Sequence, residues 1–418
     1  MIDWSIGRAR ELDTLLLRAP RRLQYALVAL TFAGMVVTSL PHVPRVYVDY
    51  ADVPLLAQVP QPDTYGNDTI GAMYVAKVAL NDVADLYARE HLEQTPLERA
   101  TWSKEASAPY PPATLLGFAA LYAAGEWSGI GYYGAVLVLA GVFLAMSAWY
   151  FLDSRWYLFP ALYANFVYFG ERFIYVQDGS YLMMLVTVMG AMIAARRGWP
   201  GRHVLMALAI VLKLSPVAYI RSIGEMAWPT RVLFAGTLFA GLILPALIWR
   251  DYLDIWQFHQ EIKGNAYDTL AAVVVTIPAT LAIWYIQERR GFGPEDRIGW
   301  ALVPFALFIG IKMRVARHLL IVLLVPDPRG ARNLIAAIGL ALHLFAPQVF
   351  RLGSVLYISA ALLLATLAWH LRAIGWDVVR ADLSHLLHKR TIVLPPLPGR
   401  HPDAAVGGGH LPRPRRLP

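Results

Sequence analysis

The chain has no cysteine. That excludes disulfides, thiolate metal sites and cysteine nucleophiles. Charge is also scarce. Asp, Glu, Lys and Arg make up 16% of the 418 residues, against roughly 25% in an ordinary soluble domain. A soluble protein of this length would form about two or three domains, each with a polar shell, and this chain has too little charge to coat them. The signatures of soluble enzymes are missing too. There is no Walker A motif, no Gly-x-Ser-x-Gly elbow and no His-Glu-x-x-His pair. The histidines show no metal-ligand spacing, and the Gly407-Gly408-Gly409 run only marks a flexible tail.

What is present is apolar. Hydrophobic residues form 57% of the chain and the mean hydropathy is +0.46, which defines an all-α polytopic membrane protein. The net charge of +8 does not call for nucleic acid, because cytoplasmic loops of membrane proteins collect Lys and Arg. The 13 Trp and 21 Tyr suit interfacial belts, and they also suit the lining of a lipid or sugar site.

Residues 1–22 are polar and basic, with Arg8, Arg10, Arg18, Arg21 and Arg22, and an apolar run follows over 23–40. A basic flank before an apolar stretch gives a cytoplasmic N-terminal segment and a first transmembrane helix running outward. The run is long for a signal peptide, and Leu40-Pro41-His42 offers no small-residue cleavage site. Residues 41–112 form a long, acidic, Pro-containing extracytoplasmic loop. Within it Tyr74, Val75, Val78, Ala79, Val83, Leu86 and Tyr87 recur at helical spacing, as in an amphipathic helix on the membrane surface.

From residue 113 to 372 apolar segments alternate with short loops, giving roughly 10–12 transmembrane or re-entrant helices by the length a span requires. Basic residues orient them: Arg196, Arg197 and Arg202 in one inside loop, Glu288 to Arg297 in another, Arg329 and Arg332 in a third. Segments 113–125 and 131–152 make two crossings where an odd number is needed before Arg155, so 113–125 is read as not fully spanning. Segment 203–220 is flanked by arginines on both sides and interrupted at Lys213-Leu214-Ser215-Pro216. Two half-helices meeting there would return the chain to the side it came from, an arrangement tolerated only around a cavity or inside protein. Residues 373–418 are read as a cytoplasmic, largely disordered tail.

Several polar residues fall where topology does not want them. Counting back from Arg329 puts Lys312, Arg314, Arg317 and His318 outside, against the positive-inside rule. Cations there suit a lipid phosphate; an error of one in the count would make the stretch an ordinary inside loop. Lys213 is a charge inside an apolar run, a functional candidate by its cost alone, and otherwise a snorkelling or internally paired lysine. Arg172, Gln177 and Asp178 interleave with aromatics between segments 156–170 and 180–195, a mixture that suits a sugar or headgroup; the alternative is a solvated loop. Asp63 and Asp68 flank Tyr65-Gly66-Asn67 in the outer loop. A carboxylate at an interfacial cavity can act as general base, and Asp68 equally fits a helix N-cap.

The order of these motifs resembles the GT-C membrane glycosyltransferases that use polyprenyl-phosphate sugars, closest to the DUF2029/GT87 mannosyltransferase group. The resemblance rests on Asp68 to Lys77 and Asp85-Leu86-Tyr87 in the first loop, Tyr110-Pro111-Pro112-Ala113 opening a helix, Val176 to Ser180, Lys213-Leu214-Ser215-Pro216, Gly264-Asn265 and His318. It spans roughly residues 24–325; Tyr-Pro-Pro is the most specific single motif, and the Gln177 turn departs from the family's pattern. The resemblance implies a bundle with a large first outer loop and transfer of a sugar (mannose or another hexose or pentose) to a lipid or glycan acceptor at the outer face of a bacterial inner membrane. Asp68 would be the base, with Asp63 second. Lys312, Arg314, Arg317, His318 and Lys213 would bind the donor phosphate. Tyr110, Arg172, Gln177, Asp178 and Asn265 would bind substrate. No cofactor is required, and a divalent metal is neither demanded nor ruled out. Membrane lipids are the surrounding partners and nucleic acid is not one. A polyprenyl-phosphate or lipid-linked sugar flippase also fits broken helices and buried charge, although the large outer loop favours an enzyme. A non-catalytic assembly factor accounts poorly for Lys213 and the outer cations.

Overall fold

The apolar runs form helices because a chain with no water around it must satisfy its backbone polar groups within each segment. The computed structural model describes residues 2–39, 111–159, 179–214, 216–249, 266–313 and 352–389. Among these, every regular element is helical and there is no strand. In chain order they are α1 (Ile2–Leu17), α2 (Arg21–Ser39), α3 (Pro112–Ser128), α4 (Gly131–Leu152), α5 (Gly179–Arg196), α6 (Arg202–Lys213), a 3-10 helix (Val217–Glu225), α7 (Trp228–Leu238), a π-helical turn (Phe239–Ile243), α8 (Leu244–Ile248), α9 (Ala266–Arg290), α10 (Pro294–Ala301), α11 (Val303–Met313), α12 (Leu352–Ile374) and α13 (Trp376–Lys389). Three stretches among the described residues are long and apolar enough to cross a membrane: Gly134–Leu152, Trp228–Ile248 and Leu270–Arg290.

The core lies between α3, α4, α5 and α6. Phe118, Phe143, Met184, Val188, Met192, Met206 and Ile210 are almost fully buried there. Tight turns join the antiparallel pairs: Gly129 in left-handed conformation ends α3, and Gly198 turns α5 into α6. Glycine carries no Cβ penalty at such positive φ.

One end of the bundle collects the arginines. Arg196 at the end of α5 bonds Glu295 Oε1 of α10 through Nε at 2.9 Å and stacks its guanidinium over the Tyr150 ring. The Tyr150 hydroxyl donates to the same carboxylate oxygen at 2.9 Å. Both terminal helices dock at this end by the same device, a buried aspartate held by an arginine and a tyrosine. In α1, Asp13 takes Arg155 Nε at 3.0 Å and the Tyr157 hydroxyl. In α13, Asp382 takes Arg289 Nε at 2.8 Å and the Tyr285 hydroxyl at 2.6 Å. Residues 376–389, expected as the start of a largely disordered tail, therefore form a helix tied to α9. Composition misled at this point because α13 lacks a long apolar run and depends on a partner in α9 to hold it.

Candidate functional site

The break at Lys213 shapes the site. Pro216 has no N–H, so it cannot bond the Leu212 carbonyl four residues earlier. The Thr114 hydroxyl, in the first turn of α3, donates to that carbonyl instead. Helix α6 ends at Lys213, and Leu214 adopts φ +51° with its N–H on the Ile210 carbonyl at 2.7 Å. A leucine in the left-handed region is strained, and this one closes the end of α6 at the break before Pro216.

Beyond the break the chain turns back. The Tyr219 hydroxyl reaches His203 Nδ1 at 3.0 Å, in the first turn of α6. Ala218 receives the Trp284 indole N–H at 3.1 Å. Arg221 pairs with Glu288 at 2.8 Å, and Glu225 pairs with Arg297. Residues 202–225 thus form a helical hairpin with both feet at the arginine-rich end and its tip at Lys213. At 1.5 Å per residue, the 12 residues of α6 place that tip about 18 Å from the feet.

Two neighbours close on the tip. The first turn of α3 lies against Leu212, so α3 begins beside the hairpin tip. On another side, Gly241 in the π-helical turn stands so close to Val211 that a Cβ would collide with the valine side chain. Pro245 follows four residues later and cannot donate to the Gly241 carbonyl. A π-turn there relieves the helix, and such turns frequently mark functional positions.

The expected site residues divide as follows. Lys213 is half-buried at the hairpin tip. Lys312 stands one residue before the end of α11, which leaves the arginine-rich end through α10, so its backbone lies toward the opposite end. Lys213 and Lys312 therefore share the half of the bundle remote from the arginines. Asp63, Asp68, Tyr110, Arg172, Gln177, Asp178, Asn265, Arg314, Arg317 and His318 lie outside the described residues. Sequence reasoning missed Thr114, Leu214 and Gly241. Thr114 had a signal in its place just after Tyr110-Pro111-Pro112-Ala113, and Gly241 in its spacing to Pro245. The conformation of Leu214 had none.

Electrostatics at the feet centre on a buried carboxyl in α10. Burial, and next the adjacent Glu295, push the Asp296 carboxyl up from 3.8 to about 6, with a Gly293 backbone hydrogen bond opposing. No group of three or more His, Asp or Glu suited to a metal occurs among the described residues. No family model matches the chain, and neither a curated protein nor a solved structure is found to be similar to it.

Proposed function

We propose that this chain is a multi-pass GT-C-type glycosyltransferase of a bacterial inner membrane. Its bundle would hold roughly 10–12 transmembrane or re-entrant helices. The arginine-rich end and both termini would face the cytoplasm, by the positive-inside rule. The large first loop and the active site would face outward. It would transfer mannose or another hexose or pentose from a polyprenyl-phosphate donor to a lipid or glycan acceptor, with inversion. Asp68 takes the proton of the acceptor hydroxyl. The oxygen attacks the anomeric carbon as the bond to the lipid phosphate breaks. The departing phosphate monoester carries its charge to nearby cations.

The observation that supports this reading most is the hairpin. A tip about 18 Å from its feet lies past the middle of a roughly 30 Å hydrocarbon core. Lys213 therefore sits where an outward-facing cavity would need a cation, and Thr114 ties the start of α3, two residues after Pro112, to the same place. Lys312 would approach from α11, with Arg314, Arg317 and His318 following it in sequence.

The test is purified protein in liposomes with a labelled polyprenyl-phosphate sugar and membrane lipid, read by product mass. Wild type is expected to form a glycosylated product. Asp68→Asn is expected to abolish transfer, and Lys213→Ala to lower it by about 10²-fold or more, the scale of removing one charge-stabilising group. Full transfer by Asp68→Asn overturns Asp68 as base and moves the role to Asp63. The hairpin also favours a second reading, a polyprenyl-phosphate flippase, since broken helices recur in transporters. Lipid translocation in the same liposomes without any glycosylated product would select it.

A further inference from the structure

Helix α1 mixes leucines with Arg8, Arg10, Asp3, Glu11 and Asp13, and away from its bundle side the protein leaves its described residues exposed. Its bundle side is fixed by the Asp13 contacts to Arg155 and Tyr157 and by the Leu16 carbonyl, which accepts the Trp156 indole N–H at 2.9 Å. Arg8, Leu12 and Leu15 follow at helical spacing along another edge, and all three are exposed, Leu15 by 64% and Leu12 by 41%. Two exposed leucines on a pinned helix have to meet either lipid, another protein or water.

The surroundings choose lipid. A corner of three residues, Arg18 to Pro20, joins α1 to α2, and Leu23, Tyr25 and Leu30 of α2 are exposed as lipid-facing residues are. Exposed tryptophans gather at the same end of the bundle: Trp149 near the end of α4, Trp199 between α5 and α6, Trp228 opening α7 and Trp376 opening α13. Such a ring marks the headgroup level of a membrane. Charge agrees. Asp13 is taken up by Arg155 and Glu11 by Arg8, while Arg18 and Arg22 are exposed at the corner toward anionic headgroups.

We propose that α1 is an interfacial helix whose Arg8–Leu12–Leu15 edge lies in the lipid headgroup layer at the arginine-rich end, with the Asp13–Arg155 pair fixing its rotation. The Arg8–Glu11 pair stays at the headgroup level while the leucines enter the acyl boundary. This inference does not depend on the proposed glycosyl transfer.

The absence of cysteine allows a clean test. Leu15→Cys and Thr14→Cys, about 100° apart around the helix and both at exposed positions, are labelled with a nitroxide. The full chain is reconstituted in phosphatidylcholine–phosphatidylglycerol vesicles. Accessibility to oxygen, which partitions into lipid, is compared with accessibility to a water-soluble nickel chelate. The label at Leu15 is expected to favour oxygen several-fold over the label at Thr14. Equal access of the chelate to both labels overturns the proposal and puts α1 in water. Spin–spin broadening at Leu15 that disappears on dilution with lipid also overturns it, assigning the edge to a second copy of the chain.

Discussion

The hydroxyl of Tyr219 stands 3.0 Å from Nδ1 of His203, and this contact brings the chain beyond Lys213 back to the first turn of α6. Both side chains are buried, Tyr219 against the Phe234 ring as well. The hydrogen bond closes the base of the hairpin whichever ring nitrogen of His203 carries the proton.

Removing only the phenolic oxygen should weaken that base. Tyr219→Phe leaves a buried ring nitrogen without its partner, which costs about 1–3 kcal/mol, whereas replacing both members by apolar groups is far less costly. In detergent, Tyr219→Phe is expected to lower the unfolding midpoint, and the double variant Tyr219→Phe/His203→Phe to recover part of the loss. A double variant as unstable as the sum of the two single variants would show that the pair is not coupled.

The approach of Gly241 to Val211 predicts a second pairing. Gly241→Ala places a methyl group against Val211 and overpacks the contact by about 1–3 kcal/mol. Val211→Ala on that background is expected to restore stability, while Val211→Ala alone destabilises. Thermal melts of the four proteins check both signs.

Asp296 makes stability depend on pH in a direction unusual for a carboxylate. Its folded value of about 6 lies above the unfolded 3.8. Between these values the folded chain keeps a proton that the unfolded chain has released. Its contribution is therefore full below pH 3.8 and is lost as pH rises through about 6, by at most about 3 kcal/mol. Asp296→Asn should flatten the pH 4–6 region of a stability profile measured in detergent. An unchanged slope in that variant would assign it to another group.

Local pattern made much of the bundle legible. The apolar runs 131–152, 180–195 and 353–371 coincide with α4, α5 and α12 within a few residues, because an uninterrupted apolar run has one stable form in lipid. The interruption at Lys213 to Pro216 was legible for a similar reason: Pro216 removes a donor wherever it stands. What could not be read was non-local. Nothing near Asp13 announces that Arg155 will hold it, and nothing near Asp382 announces Arg289, so α1 passed as a polar segment and α13 as tail. The left-handed backbone of Leu214 had no signal in a residue type that rarely adopts it. Of the site, the sequence singled out Lys213 and Lys312, which the fold leaves in the same half of the bundle. The carboxylates expected to act on substrate fall outside the described residues.

The hairpin has a consequence for how the rest of the chain is threaded into the membrane. In the proposed membrane orientation, two feet at one end mean that residues 202–225 would contribute no crossing. A change in the length of the hairpin would then leave every downstream helix pointing the way it did before. The segment that carries Lys213 could lengthen or shorten without inverting the protein around it, which no spanning helix could do.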